Sequence, residues 1–170
     1  MASDLRVVLG IDPGLAATGF GVVGVSKNRF VHIDHGAIVT SADLSQQDRL
    51  VVIYDELSKI VKKYKPSDAG VESLYFAKNV TSALGVSEAR GVSLLLLAKN
   101  GVATIEYSPN TIKKSVTGIA KADKKQVQHC VKILLGLPDL PKPNHAADAL
   151  AAAITRVNIG DVQKRVMAYV

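Results

Sequence analysis

A chain of 170 residues that is 48% hydrophobic can bury a substantial core, and its length favours a single domain. Its 21 basic and 15 acidic residues leave a net charge of +6, which suits an anionic partner, and a single cysteine, Cys130, excludes an intramolecular disulfide. Asp12 breaks the N-terminal apolar run too early for a signal peptide, and the run Leu94 to Ala98 is far short of the roughly 20 residues that span a bilayer, so a cytoplasmic protein with no membrane segment is expected.

Residues 5 to 11, 18 to 26 and 29 to 39 read as three consecutive strands joined by turns at Pro13-Gly14 and Lys27-Asn28, which is an antiparallel meander. Between Ser45 and Tyr64, the residues Leu50, Ile53, Leu57, Ile60, Val61 and Tyr64 share one helical face, and Lys65-Pro66-Ser67 ends that helix. Asp68 to Glu72 is a short apolar strand closing on an acid. After a loop, a long helix from Asn79 to Asn100 carries Ala83, Gly85, Ala89 and Gly91. Glycine costs about 1 kcal/mol in a helix interior, so these small residues point to close packing against another element. Val102 to Tyr107 is a further strand, Ser108-Pro109 opens a helix and Gly118 stops it. A helix from Lys124 to Leu135 ends at Gly136 and holds Cys130 among Val127, Val131 and Leu134, where it reads as core filler. Beyond the prolines at 138, 141 and 143, Asn144 is expected to cap a last helix running to Val157. The reading is one α/β domain over residues 1–157, a mixed sheet with helices on its faces, and a patternless tail over 158–170.

Two strands in this scheme deliver a carboxylate at their carboxyl ends, Asp12 in Gly10-Ile11-Asp12-Pro13-Gly14 and Glu72 in Gly70-Val71-Glu72, the place where α/β sheets carry functional groups. His145 and Asp148 lie three residues apart on one face of the last helix and can approach the same point. Taken singly, Asp12 reads equally as a turn acid, Glu72 as a solvated strand end, Asp148 as a helix N-terminal acid and His145 as a surface histidine. Convergence of all four suggests a divalent metal, because hard ions such as Mg²⁺ take oxygen ligands and an ion pair about 4 Å apart can promote phosphodiester cleavage.

Five segments resemble the RuvC family of crossover junction endodeoxyribonucleases: Gly10 to Gly14, Val71 to Asn79, Ala89-Arg90-Gly91-Val92, Gly118 to Val127 and His145 to Ala151. Together they span about residues 6 to 157 in one order. The resemblance implies a ribonuclease H-like fold, a homodimer, and Mg²⁺-dependent resolution of Holliday junctions, four-way junction DNA, by paired symmetrical nicks, alongside the RuvA and RuvB branch-migration proteins. It assigns the four metal positions, with two ions per site, to Asp12, Glu72, His145 and Asp148. Histidine at 145 departs from the all-carboxylate version of the motif. A neutral ring nitrogen can ligate a metal or move a proton, and it favours tolerance of Mn²⁺.

Lys113, Lys114, Lys121, Lys124 and Lys125 cluster against a single acid, Asp123, and read either as a phosphate-binding surface or as a solvated helix face. The resemblance matches Lys113 and Lys124 to lysines beside the scissile phosphate and Tyr75 to an aromatic that stacks on an unpaired base, with Lys78 in the same DNA-binding segment. Arg90 reads as a surface cap or a phosphate contact, and the stretch Gly85 to Gly91 as a dimer contact or as packing on its own sheet. Three rivals stand beside a junction endonuclease. A kinase-like ATPase is suggested by Asp12-Pro13-Gly14 followed by Thr18-Gly19-Phe20-Gly21, but 170 residues leave no room for its second lobe. The others are a ribonuclease H-like nuclease acting on RNA and a non-catalytic junction-binding module.

Overall fold

The computed structural model describes residues 5–27, 29–73 and 80–167, with residues 80–82 and 161–167 described by their backbone alone. Five strands form one sheet in the order β3-β2-β1-β4-β5: β1 Arg6–Asp12, β2 Ala17–Ser26, β3 Arg29–Val39, β4 Asp68–Glu72 and β5 Ala103–Tyr107. The meander β1-β2-β3 is antiparallel, with a bulge opposite Val22 and Val23, whereas β4 runs parallel to both β1 and β5. Helices α1 Gln46–Tyr64 and α2 Val80–Lys99 cover one face. The other face carries α3 Pro109–Thr117, α4 Lys124–Leu135 and α5 Asn144–Met167.

Two apolar layers follow. Leu9, Ile11, Val22 and Val71 pack against Ile53, Leu57 and Val61 of α1 and Leu96 and Leu97 of α2. On the opposite face Val8 and Val23 meet Ile112, Val127, Val131, Leu150 and Ile154, with half-buried Cys130 against them. The helix signals sit where the sequence puts them. Ser45 accepts from the Asp48 N–H, Ser108 accepts from the Thr111 N–H ahead of Pro109, and Gly118 and Gly136 end their helices in the left-handed region. Asp123 and Gln126 add a reciprocal capping box to α4.

The period of two along a strand decides where α5 lies. In β1 the residues Val8, Gly10 and Asp12 face it; in β4 Asp68, Gly70 and Glu72 do; in β2 Gly19 and Gly21 do. A Cβ at Gly10, Gly21 or Gly70 would lie under 3.0 Å from the backbone of Ala149, Leu150 or Ala152, so these glycines let the helix rest directly on the sheet. Its own contact face is correspondingly small, with Ala146, Ala149, Ala152 and Ala153 fully buried. At the far end Asp68 accepts from Arg6 Nε at 2.9 Å and from Arg156 at 2.6 Å, which ties β1, β4 and α5 together. Burial raises the Asp68 pKa, but the Arg6 and Ser67 hydrogen bonds and the two arginine charges outweigh it and hold the carboxyl below its ordinary value.

Two boundaries differ from the sequence reading. Asn144 is the first residue of α5 and not its cap: the Pro143 carbonyl accepts from Ala146 and Ala147, and the Asn144 side chain accepts instead from Gln128 of α4 at 3.0 Å. The helix also runs ten residues past Val157, to Met167. Gly160 sits within it where a Cβ would strike the Arg156 guanidinium, and Asn158 holds the helix to Ser115 of α3. Among the described residues no helix is long and apolar enough to cross a membrane.

Candidate active site

Asp12 and Glu72 end adjacent parallel strands, whose register pairs Ile11 with Val71, so both carboxylates leave the same sheet edge on the α5 face. The first turns of α5 bring His145 and Asp148 down on them. His145 Nδ1 lies 2.7 Å from Asp12 Oδ2. When Asp12 is ionised the ring nitrogen is the donor, and in a neutral imidazole that leaves Nε2 with a lone pair. Asp148 Oδ2 accepts from Lys124 Nζ at 2.7 Å. One ligand-type atom each from Asp12, His145 and Asp148 lie within 4.8 Å of one another, a spacing that one cation can bridge. Glu72 stands beside this group and lines a cavity of about 190 Å³ with Asp148, Lys113, Lys124, Ile112 and Val127.

Electrostatics mark the cluster as under-compensated. Burial, then the charges of Asp12 and Asp148, push the Glu72 carboxyl up to about 8, with Lys124 and Lys113 pulling the other way. Burial also raises Asp12, offset in part by the His145 hydrogen bond. Three acids gathered at a strand edge with so little countercharge is the arrangement a divalent cation would neutralise.

Of the lysines predicted to hold DNA, Lys113 and Lys124 reach the cavity; Lys114, Lys121 and Lys125 stay exposed outside its lining. Tyr75 and Lys78 lie outside the described residues. Arg90 forks onto both carboxylate oxygens of Glu106, joining α2 to β5, so its partner is within the protein. Gly85 packs against the Leu15 side chain of the β1–β2 turn, whereas Gly91 faces open space. Sequence reading missed the glycines that admit α5. The patterns Gly10-Ile11-Asp12 and Gly70-Val71-Glu72 held the signal, since alternation puts glycine and acid on one face.

A mixed 3-2-1-4-5 sheet with acids at the ends of its two central parallel strands, faced by His145 and Asp148 from a helix laid across them, defines a ribonuclease H-like nuclease. The family model of the crossover junction endodeoxyribonuclease RuvC matches residues 8–156, and the chain belongs to that family. A RuvC of Treponema denticola is 60% identical, the match covering 96% of this chain and 91% of that protein. One from Pseudothermotoga lettingae is 45% identical over 94% and 98% respectively. The structure of Thermus thermophilus RuvC in complex with a Holliday junction substrate superimposes with a TM-score of 0.88 at 30% identity, covering 93% of this chain and 96% of that one. The yeast mitochondrial Holliday junction resolvase, at 13% identity and a TM-score of 0.66, shares the fold.

Proposed function

We infer that this chain is a structure-selective endonuclease that resolves Holliday junctions, cutting two strands at symmetry-related positions during homologous recombination and repair. The observation that carries the reading is the meeting of Asp12, His145 and Asp148 within 4.8 Å beside the half-buried Glu72. A non-catalytic junction-binding module has no use for so costly a cluster of acids.

The donor set suits two Mg²⁺ ions, with Mn²⁺ as a substitute because His145 offers nitrogen. Asp12, Glu72, His145 and Asp148 would hold them. Bound there, such ions supply an activated water and charge neutralisation at the leaving oxygen. The chain's own groups do the rest. Asp12 fixes the orientation of the His145 ring through Nδ1. Lys113 and Lys124 border the cavity, where they meet the scissile phosphate and the negative charge that grows on it. On binding, Lys124 exchanges its Asp148 partner for phosphate. Lys114, Lys121 and Lys125, outside the cavity, contact flanking backbone phosphates, and Tyr75 and Lys78 serve the unpaired centre of the junction by stacking and by charge. Cutting two strands at equivalent places requires two equivalent sites, which a C₂ homodimer provides, working beside RuvA and RuvB in the cytoplasm.

The test is cleavage of a mobile four-way junction set beside linear duplex and a matched RNA substrate, with and without Mg²⁺. The expected outcome is ligatable, symmetrical nicks in the DNA junction alone, lost by at least about 100-fold in Asp12→Asn while junction binding persists. Wild-type-like cleavage by that variant would remove Asp12 from the chemistry.

A further inference from the structure

The stretch Thr18-Gly19-Phe20-Gly21 fits no role in the chemistry above, yet Thr18 bonds to the turn that follows Asp12 and Gly19 lies between Asp12 and His145. Thr18 is fully buried. Its Oγ1 donates to the Gly14 carbonyl at 2.8 Å and accepts from the Gly14 N–H at 3.3 Å, closing the turn that follows Asp12. Gly19 is the cross-strand partner of Asp12. A Cβ on Gly19 would fall under 3.0 Å from the His145 carbonyl group and 3.0 Å from the His145 Cβ. The backbone of His145 therefore lies against β2 directly opposite Asp12, and from there the ring reaches the carboxylate at 2.7 Å.

We propose that Thr18 and Gly19 are positioning residues of the catalytic centre, Thr18 fixing the turn that leaves Asp12 and Gly19 admitting His145 to its contact with that acid. The proposal rests on reading Asp12 and His145 as site residues. It separates Gly19 from the other glycines under α5. Gly10, Gly21 and Gly70 seat the middle of the helix, against Ala149, Leu150 and Ala152, whereas Gly19 alone of the four meets a residue that carries a site side chain. A methyl group at Gly19 must lift the first turn of α5 from the sheet, because what it meets is backbone and cannot rotate away. A misplacement of about 1 Å is enough to cost on the order of 100-fold in rate. For Thr18, the loss of one hydroxyl leaves the part-buried Gly14 carbonyl, two residues after Asp12, without that donor.

The experiment uses the full chain and four variants. Gly19→Ala and Thr18→Val remove the two features, Thr18→Ser restores the hydroxyl, and Gly36→Ala adds a methyl on β3 against the Phe20 ring, away from the cluster. Three quantities are read: the His145 tautomer from its ring-nitrogen shifts in metal-free protein, Mn²⁺ affinity by calorimetry, and junction affinity. Gly19→Ala is expected to lose the fixed Nδ1–H tautomer and to bind Mn²⁺ about 10-fold more weakly, the order found when a ligand's supporting partner is removed, with junction affinity within about 2-fold. Thr18→Val moves the same way, Thr18→Ser returns to wild type, and Gly36→Ala leaves the tautomer and Mn²⁺ affinity unchanged whatever it does to Tm. A Gly19→Ala protein with the wild-type tautomer and Mn²⁺ affinity would overturn the proposal. Should that variant fail to fold, equal Mn²⁺ affinity in Thr18→Val and wild type would do so. Failure of the functional reading shows separately, as retained junction cleavage in Asp12→Asn.

Discussion

Glu72 titrates near 8 because burial, Asp12 and Asp148 all disfavour its charge. An unfolded glutamate loses its proton near 4.5, so between about 4.5 and 8 the folded chain holds more protons than the unfolded one. Stability of the metal-free protein must then fall as pH rises through that interval, the reverse of a salt-bridged carboxylate; Asp12 is shifted the same way and adds to the effect. Thermal melts in chelator are expected to show Tm declining between about pH 5 and 9, with Glu72→Gln flattening the curve and gaining most at the alkaline end. A divalent ion would raise the wild-type Tm most where Glu72 is ionised. A flat wild-type profile would refute the burial argument. Lys124 offers a second residue-scale test. Its pair with Asp148 is half exposed and contributes little to stability, so Lys124→Ala should melt like wild type yet cut junctions about 100-fold more slowly. Equal rates would return Lys124 to the solvated face of α4.

At the scale of elements, what could be read from sequence was what local chemistry writes. Ser45, Ser108-Pro109, Gly118 and Gly136 act within one turn of themselves, and each helix boundary they imply stands. Asp12, Glu72, His145 and Asp148 were legible for a related reason: each sits at the end of a strand or the start of a helix, where spacing alone assigns its edge. Boundaries set by partners distant in sequence were not. The start of α5 is tied to Gln128, sixteen residues away, and its stretch past Val157 to Ser115 of α3 through Asn158. The glycines beneath α5 belong to the same class: alternation puts Gly10 and Gly70 on the face of Asp12 and Glu72, but the helix backbone that lies on them comes from far along the chain. Gly10→Ala should therefore cost about 3 kcal/mol, the upper end for overpacking, because its methyl meets the Ala149 carbonyl. Gly91→Ala, with open space around it, should be neutral or slightly stabilising by helix propensity. Urea unfolding of the two variants separates a tightly seated α5 from a loosely packed one.

For the whole molecule, the two helical faces are unequal. The face with α3, α4 and α5 carries the acids and the lysines that border them, while the outer side of α2 is apolar: Leu84 and Leu95 are 60% and 57% exposed, and Gly91 between them faces open space. These positions fall on one side of the helix at spacings of seven and four residues, and Val51 of α1, 57% exposed, is a further large apolar side chain on the same layer. Exposed apolar side chains grouped in this way suit the homodimer contact proposed above. A second copy meeting it across a two-fold axis would set α2 against α2 and leave both acidic edges free, which is the geometry paired cutting needs. The double substitution Leu84→Asp and Leu95→Asp is expected to shift the protein from dimer to monomer in sedimentation velocity, with little change in monomer stability because neither side chain belongs to the core. Junctions given to the monomer should accumulate single nicks in place of two ligated-ready halves. A variant that still sediments as a dimer and still cuts in pairs would place the interface on another surface.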